Sequence, residues 1–118
     1  MTGNDILQRA LTLMGYTDQN GEPDAEITRR AARHGLAAVT QIYKELSYAS
    51  GKVPQPILLM SDPLPLAPRL LDEVMPYGVA MLLAVAEGDA GTEAAFALIY
   101  NRKRCLLTTT EQIIDSLP

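Results

Sequence analysis

Five prolines between residues 52 and 68 limit the folds that are open to this chain. Proline lacks a backbone N–H and restricts the residue before it, so an ordinary helix cannot run through this stretch. The stretch is too apolar for a free linker, and we predict an ordered loop held by apolar side chains. The prolines are Pro54, Pro56, Pro63, Pro65 and Pro68.

A short helix is predicted before this loop, over residues 2–14. Its apolar residues recur at helical spacing. Thr2 and Asp5 have the spacing of a capping box, in which each side chain bonds the other residue's backbone N–H. Gly15 suits the left-handed position that ends many helices.

The longest helical pattern covers residues 24–49, with Asp24 as the expected N-cap. Gly35 lies inside it, where glycine costs about 1 kcal/mol relative to alanine. We therefore expect another helix to approach closely there. The predicted inward stripe consists of Ala32, Leu36, Val39, Tyr43 and Leu46, widened by Ile27, Ala31, Ala38 and Ile42.

A third helical pattern follows the loop, over residues 69–87. Pro76 removes the hydrogen bond to the carbonyl of Asp72, so a kink or break is expected there. Residues 79–86 are apolar all round, which is typical of a central buried helix. Gly88 is expected to end the helix.

A last helix is predicted over residues 90–106, capped by Asp89. Residues 107–118 are predicted to be a C-terminal tail, because the threonine run at 108–110 favours extended structure over helix. The domain organisation expected is a helical domain over 1–106 followed by this tail. The side chains expected to face inward in the last helix are Ala95, Leu98, Ile99 and Leu106.

These patterns predict an all-α, single-domain bundle of four to five helices with a Pro-rich connecting loop. The chain has 118 residues, which suits one domain. The single cysteine allows no intramolecular disulfide. One cysteine and one histidine are also too few ligands for a structural zinc site. The sequence lacks a signal-peptide start and an apolar run that is long enough to cross a membrane, so a soluble, intracellular protein is expected.

No catalytic constellation is visible in the sequence. His34, the only histidine, lies in the middle of a predicted helix, and Cys105 also lies on a predicted helix. Arg102 and Arg104 lie near Cys105 in the sequence, but we interpret Cys105 as a small helix residue rather than a nucleophile. We interpret His34 as a surface or boundary residue. We therefore expect no enzyme activity, no cofactor and no metal.

Two basic clusters leave two interpretations open. They could contact DNA phosphates or an acidic partner surface, or they could form solvated helix faces. The net charge of −4 disfavours an electrostatic hold on nucleic acid by the whole protein. The clusters are Arg29, Arg30 and Arg33, and Arg102, Lys103 and Arg104.

The predicted tail keeps three large aliphatic side chains, at Ile113, Ile114 and Leu117. Exposed termini are usually polar and poorly ordered. We expect these side chains to be buried, either on their own domain or on another protein, and the intermolecular alternative is preferred because a threonine run suits an extended arm.

Several stretches of the chain resemble small helical head–tail connector (adaptor) proteins of long-tailed bacteriophages and prophages. The likeness covers nearly the whole chain, through packing and turn motifs. The longest match carries most weight: a Pro-entered apolar helix, a short acidic turn, and a helix that ends in Tyr-Asn-Arg. The matching stretches are residues 5–7, 10–11, 13–16, 42–46 (IYKEL), 64–66 (LPL), 71–84 (LDEVMPYGVAMLLA), 87–89 and 100–104 (YNRKR).

The resemblance implies a structural role in the virion, at the head–tail junction. Such connectors form a ring, often twelve-fold, under the capsid portal protein. The ring extends the DNA channel without sequence-specific binding and offers a docking surface to the tail or to a stopper protein. Members can be monomers before they meet the portal, and assembly takes place in the bacterial cytoplasm.

The alternative is a small helical nucleic-acid-binding adaptor in DNA packaging. The predicted partner-binding residues are the two basic clusters and the three tail aliphatics.

Overall fold

A computed structural model describes residues 1–16, 25–56, 59–115 and 117 of the chain. It has four α-helices, and no strand occurs among these residues. The predicted all-α, single-domain fold is therefore confirmed. A π-helical turn at Leu70–Val74 runs directly into the third helix. The helices are α1 (Gly3–Leu13), α2 (Ala25–Ala49), α3 (Met75–Ala86) and α4 (Ala90–Asp115).

The start of α1 forms the capping box that the sequence predicts. The Asp5 backbone N–H donates to the Thr2 hydroxyl, and the Thr2 backbone N–H donates to the Asp5 carboxylate at 2.9 Å. The bond from the Thr2 backbone holds the pKa of the Asp5 carboxyl below its ordinary value. The Asn4 N–H donates to the Met60 carbonyl, which ties the start of α1 to the Pro-rich loop.

The buried face of α2 differs from the predicted stripe at two positions. Ala32 and Leu36 were expected inside but are exposed. Gly35 is buried instead, and a Cβ added there would lie 3.0 Å from a methyl group of Leu7 in α1. The predicted close approach at Gly35 is thus confirmed, and it turns Leu36 away from the core. Asp24 and the side chain of Ile27 lie outside the described part of the structure. The buried members of the stripe are Ala31, Ala38, Val39, Ile42, Tyr43 and Leu46.

The described residues of the Pro-rich stretch, 52–56 and 59–68, form a loop with apolar anchors, as predicted. Leu64 and Leu66 are buried in the main core. The Tyr43 hydroxyl, on α2, accepts a hydrogen bond of 2.9 Å from the backbone N–H of Gln55. A buried tyrosine usually needs such a partner, and here the loop supplies it.

The expected interruption at Pro76 takes the form of the π turn. The Met75 N–H donates to the Leu70 carbonyl five residues earlier, which is the π pattern. Because Pro76 has no N–H, the Asp72 carbonyl is left without its helical donor. The guanidinium of Arg9 in α1 donates to that carbonyl at 3.3 Å and also forms an ion pair with the Asp72 carboxylate.

The substitution Pro76→Ala is expected to leave the protein folded. Alanine restores one backbone donor, and the helix should extend through the former interruption. We expect the free energy of unfolding to change by about 1 kcal/mol or less, as measured by urea titration followed by circular dichroism. Loss of the folded state would mean that the core requires the bend.

Helix α3 is the centre of the bundle. It packs against α1, α2 and, most extensively, α4, whereas α2 and α4 touch each other only slightly. Its middle is buried, as the all-apolar sequence predicts, and only its last turn emerges, with Val85 half exposed. Gly88, at φ +72°, ends the helix. Asp89 then caps α4 through the Thr92 hydroxyl and backbone N–H.

Candidate protein-interaction surface

Helix α4 is rotated relative to the sequence prediction. The residues that face the core are Tyr100, which is 1% exposed, and Leu107 and Thr108, which are also buried. The Tyr100 ring covers Gly78 of α3, where the lack of a side chain leaves room for it. This contact turns the opposite side of α4 outward. The four residues that were predicted to face inward are all exposed: Ala95, Leu98, Ile99 and Leu106.

The sequence predicts that the last helix ends at residue 106, but α4 continues to Asp115. The threonine run is helical. The hydroxyls of Thr108 and Thr109 donate to the carbonyls of Arg104 and Cys105, one turn earlier. Thr108 is buried, so its packing opposes the weak helix propensity of threonine.

The second basic cluster divides between the core and the surface. The Lys103 ammonium lies 5.2 Å from the centroid of the Tyr77 ring, and the Arg104 guanidinium lies 5.8 Å from that of Tyr100. Both side chains are half-buried and support the packing of α4. Arg102 is exposed and forms no ion pair with the described residues. It is the member of this cluster that is best placed to meet a partner.

Two polar groups in the middle of α4 are buried without a hydrogen-bond partner among the described residues. They are the hydroxyl of Tyr100 and the Nε of Arg104. Burial raises the pKa of the Tyr100 hydroxyl well above its ordinary value, and the nearby Glu45 carboxylate raises it further. The hydroxyl therefore stays neutral, and Tyr100 contributes to the core through the packing of its ring.

The first basic cluster lies in the N-terminal half of α2. Arg29, Arg30 and Arg33 are all exposed. The Arg30 guanidinium lies 3.9 Å from the carboxylate of Glu87, at the end of α3. Exposed ion pairs of this kind contribute little to stability.

The outward side of α2 forms an open groove of about 560 Å³, which the sequence analysis missed. Its lining includes two large exposed side chains with apolar surface, Leu36 and Tyr48, which are 39% and 67% exposed. We call this surface the α2 groove. Among the described residues it is lined by Leu36, Ala37, Thr40, Gln41, Lys44, Glu45 and Tyr48.

The predicted tail contacts are only partly described. Leu117 is 64% exposed, so it is not buried on its own domain, which was one of the two alternatives. The side chains of Ile113 and Ile114 lie outside the described residues. Whether they pack on this chain or on another protein stays a prediction.

The titratable residues of the described chain do not converge on one site. His34 and Cys105 are exposed on different helices. Within the described ranges, no group of three or more His, Cys, Asp or Glu side chains is placed to hold a metal ion. In the same ranges, no helix has both the length and the apolar character needed to cross a membrane.

Comparison with known proteins gives no family for this chain. No protein-family model matches it, and neither the curated proteins nor the solved structures include a significant match. Among the described residues, the candidate surface consists of an outward face on α4 and another on α2, together with the exposed first basic cluster and Arg102.

Proposed function

We propose that this protein is a head–tail connector subunit of a long-tailed bacteriophage or prophage, and that it assembles as a ring under the capsid portal. The observation that carries the proposal is the outward face of α4, where Leu98 is 62% exposed beside Arg102, which forms no ion pair with any residue that the structure describes. Apolar side chains gathered on one exposed face are typical of surfaces that bind other proteins.

The resemblance in sequence supports the same proposal. Its longest match, residues 71–84, 87–89 and 100–104, falls on most of the π turn, most of α3, the turn before α4 and five residues in the middle of α4. These elements form the centre of the bundle and present the outward face of α4. In the proposed role, the ring extends the DNA channel and gives the tail or a stopper protein a surface to dock on. The net charge of −4 suits a channel wall along which DNA slides.

Native mass spectrometry of the protein, alone and mixed with its cognate portal protein, tests this proposal. We expect a defined number of copies to assemble on each portal ring. Stable binding of a tail or stopper protein to that assembly would support the docking role. A portal ring that recruits no copies over a wide range of protein concentration would overturn the proposal.

A nucleic-acid-binding adaptor in DNA packaging is the second candidate. It is favoured by the exposure of Arg29, Arg30 and Arg33 on neighbouring turns of α2. Such a protein should bind free DNA with an affinity that falls steeply as salt is raised. A connector should bind free DNA weakly, and the triple substitution of these arginines by glutamine should then leave assembly on the portal unchanged.

Charge reversal in the middle of α4 separates partner binding from folding. Arg102→Glu is expected to weaken assembly on the portal at physiological salt, while the free energy of unfolding stays within about 0.5 kcal/mol of the parent value. Arg104→Glu should lower the melting temperature as well, because the Arg104 guanidinium lies against the Tyr100 ring with its Nε buried. If the Arg102 variant assembles on the portal as the parent protein does, then Arg102 lies on a solvated helix face and does not bind the partner.

A further inference from the structure

Two outward helix faces of this chain carry exposed apolar side chains. One is a strip of α4 on the side opposite Tyr100, which we call the α4 ridge; it comprises Ala95, Leu98, Arg102 and Cys105, all of them exposed. The other is the α2 groove, an open depression whose lining includes the exposed side chains of Leu36 and Tyr48. A single helix ridge packed into a groove between side chains is the usual way in which helices associate.

The two faces point to different sides of the molecule. The ridge lies on the side of α4 opposite its buried residues, the groove lies on the side of α2 opposite its buried residues, and the two helices touch each other only slightly. One chain therefore cannot bring its own ridge into its own groove. A contact between the ridge of one copy and the groove of the next is head-to-tail, and repeated contacts of this kind close into a ring or continue as a filament.

Charge also favours a second copy as the occupant. Arg102, in the middle of the ridge, forms no ion pair among the described residues. The groove offers the Glu45 carboxylate and the ring of Tyr48, which is 67% exposed. A guanidinium binds both kinds of group, through charge-assisted hydrogen bonds and through stacking. Lys44 also lines the groove, so Arg102 should enter on the Glu45 side.

We infer that the α4 ridge of one copy of this chain packs into the α2 groove of the next copy, with Leu98 as the apolar anchor and Arg102 against Glu45 and Tyr48. The inference rests on the proposed function in one respect: the closed ring is part of that proposal. What the inference adds is the contact between neighbouring subunits. The contact itself is open to a direct test.

Cys105, the only cysteine, makes disulfide trapping suitable for this test. In Ala37→Cys and in Gln41→Cys, the new thiol lies in the groove while Cys105 stays on the ridge. Mild oxidation of the full-length variants, with and without the cognate portal, should give a ladder of dimers, trimers and longer chains on non-reducing gels. The matched control is Val53→Cys, which puts a thiol on an 81% exposed residue outside both faces and should give no ladder.

A second substitution shows whether the ladder depends on the proposed contact. Leu98→Asp, added to Gln41→Cys, should reduce the crosslinked species about tenfold or more, as expected for an anchor at the centre of an interface. Circular dichroism checks that this variant is folded. Val53→Asp, added to Gln41→Cys, is the control and should leave the ladder intact.

Each outcome decides between the contact and the proposed function. A Leu98-dependent ladder without binding to the portal supports the contact and counts against the connector role. A portal-bound ring that gives no ladder in either groove variant overturns the contact and leaves the connector role standing. Dimers of the parent protein through Cys105 alone would indicate face-to-face pairing of two α4 helices and would overturn the contact. The absence of a ladder under both conditions would overturn it as well.

Discussion

Gly78→Ala is expected to destabilise the protein by about 2 kcal/mol. A Cβ at this position would lie 2.8 Å from Cε1 of Tyr100 and 2.9 Å from Cδ1 of Ile42. Both neighbours are fully buried, so neither can move into open space. The resulting strain should exceed the gain in helix propensity, which is about 1 kcal/mol. Urea unfolding measures the difference directly.

Gly91→Ala is the matched control for this substitution. Gly91 lies in the first turn of α4, and the nearest atom to an added Cβ is 3.8 Å away. We expect a neutral or slightly stabilising effect there, because only the propensity gain applies. Equal effects of the two alanines would show that α3 and α4 do not approach each other as closely as the structure indicates.

Tyr100→Ala should have the larger effect, a loss of about 3–5 kcal/mol by analogy with other buried aromatic residues. The ring is 1% exposed and fills the space between α2, α3 and α4. Its removal leaves a cavity that only a large rearrangement could close. Thermal and urea unfolding of the variant should both show the loss. Tyr48→Ala, at a tyrosine that is 67% exposed, should stay within about 0.5 kcal/mol of the parent.

The double variant of Gly78→Ala and Tyr100→Ala tests the same contact independently. Removal of the ring makes room for the new methyl group, so the two effects should not add. We expect the double variant to be more stable than the sum of the single changes predicts. Simple additivity would show that the strain in Gly78→Ala arises elsewhere.

The elements fixed by local chemistry could be predicted from the sequence. Helix α1 has a capping box at Thr2 and Asp5, and each of these groups bonds to a residue three positions away. Asp89 caps α4 through Thr92 in a similarly local way. The interruption at Pro76 follows from a missing backbone donor, although its π geometry depends on packing and on Arg9 in a distant part of the chain.

The orientation of α4 could not be predicted, because apolar side chains occur on both of its sides. Leu98 and Leu106 suggest one buried face, whereas Tyr100 and Leu107 suggest another. Periodicity alone cannot choose between the two. The choice depends on Gly78, since only a position without a side chain leaves room for the tyrosine ring.

The α2 groove was missed for a related reason. Leu36 fits the predicted inward stripe, and a leucine within such a stripe is usually buried. Its neighbour Gly35 packs against Leu7 of α1 instead, and the Leu36 side chain therefore points outward. Both halves of the proposed contact between copies therefore consist partly of residues that the periodicity assigned to the core.

The packing of α1 on α3 has a consequence for biosynthesis. Helix α1 leaves the ribosome before α3, yet much of its apolar face packs on α3. An 11-residue helix is marginal by itself in water. At about 5–20 residues per second, the roughly 60 residues between the two helices take about 3–12 s to synthesise. During that interval the apolar face of α1, which includes Ile6 and Leu11, cannot pack on α3, and transiently exposed apolar surface of this kind favours aggregation.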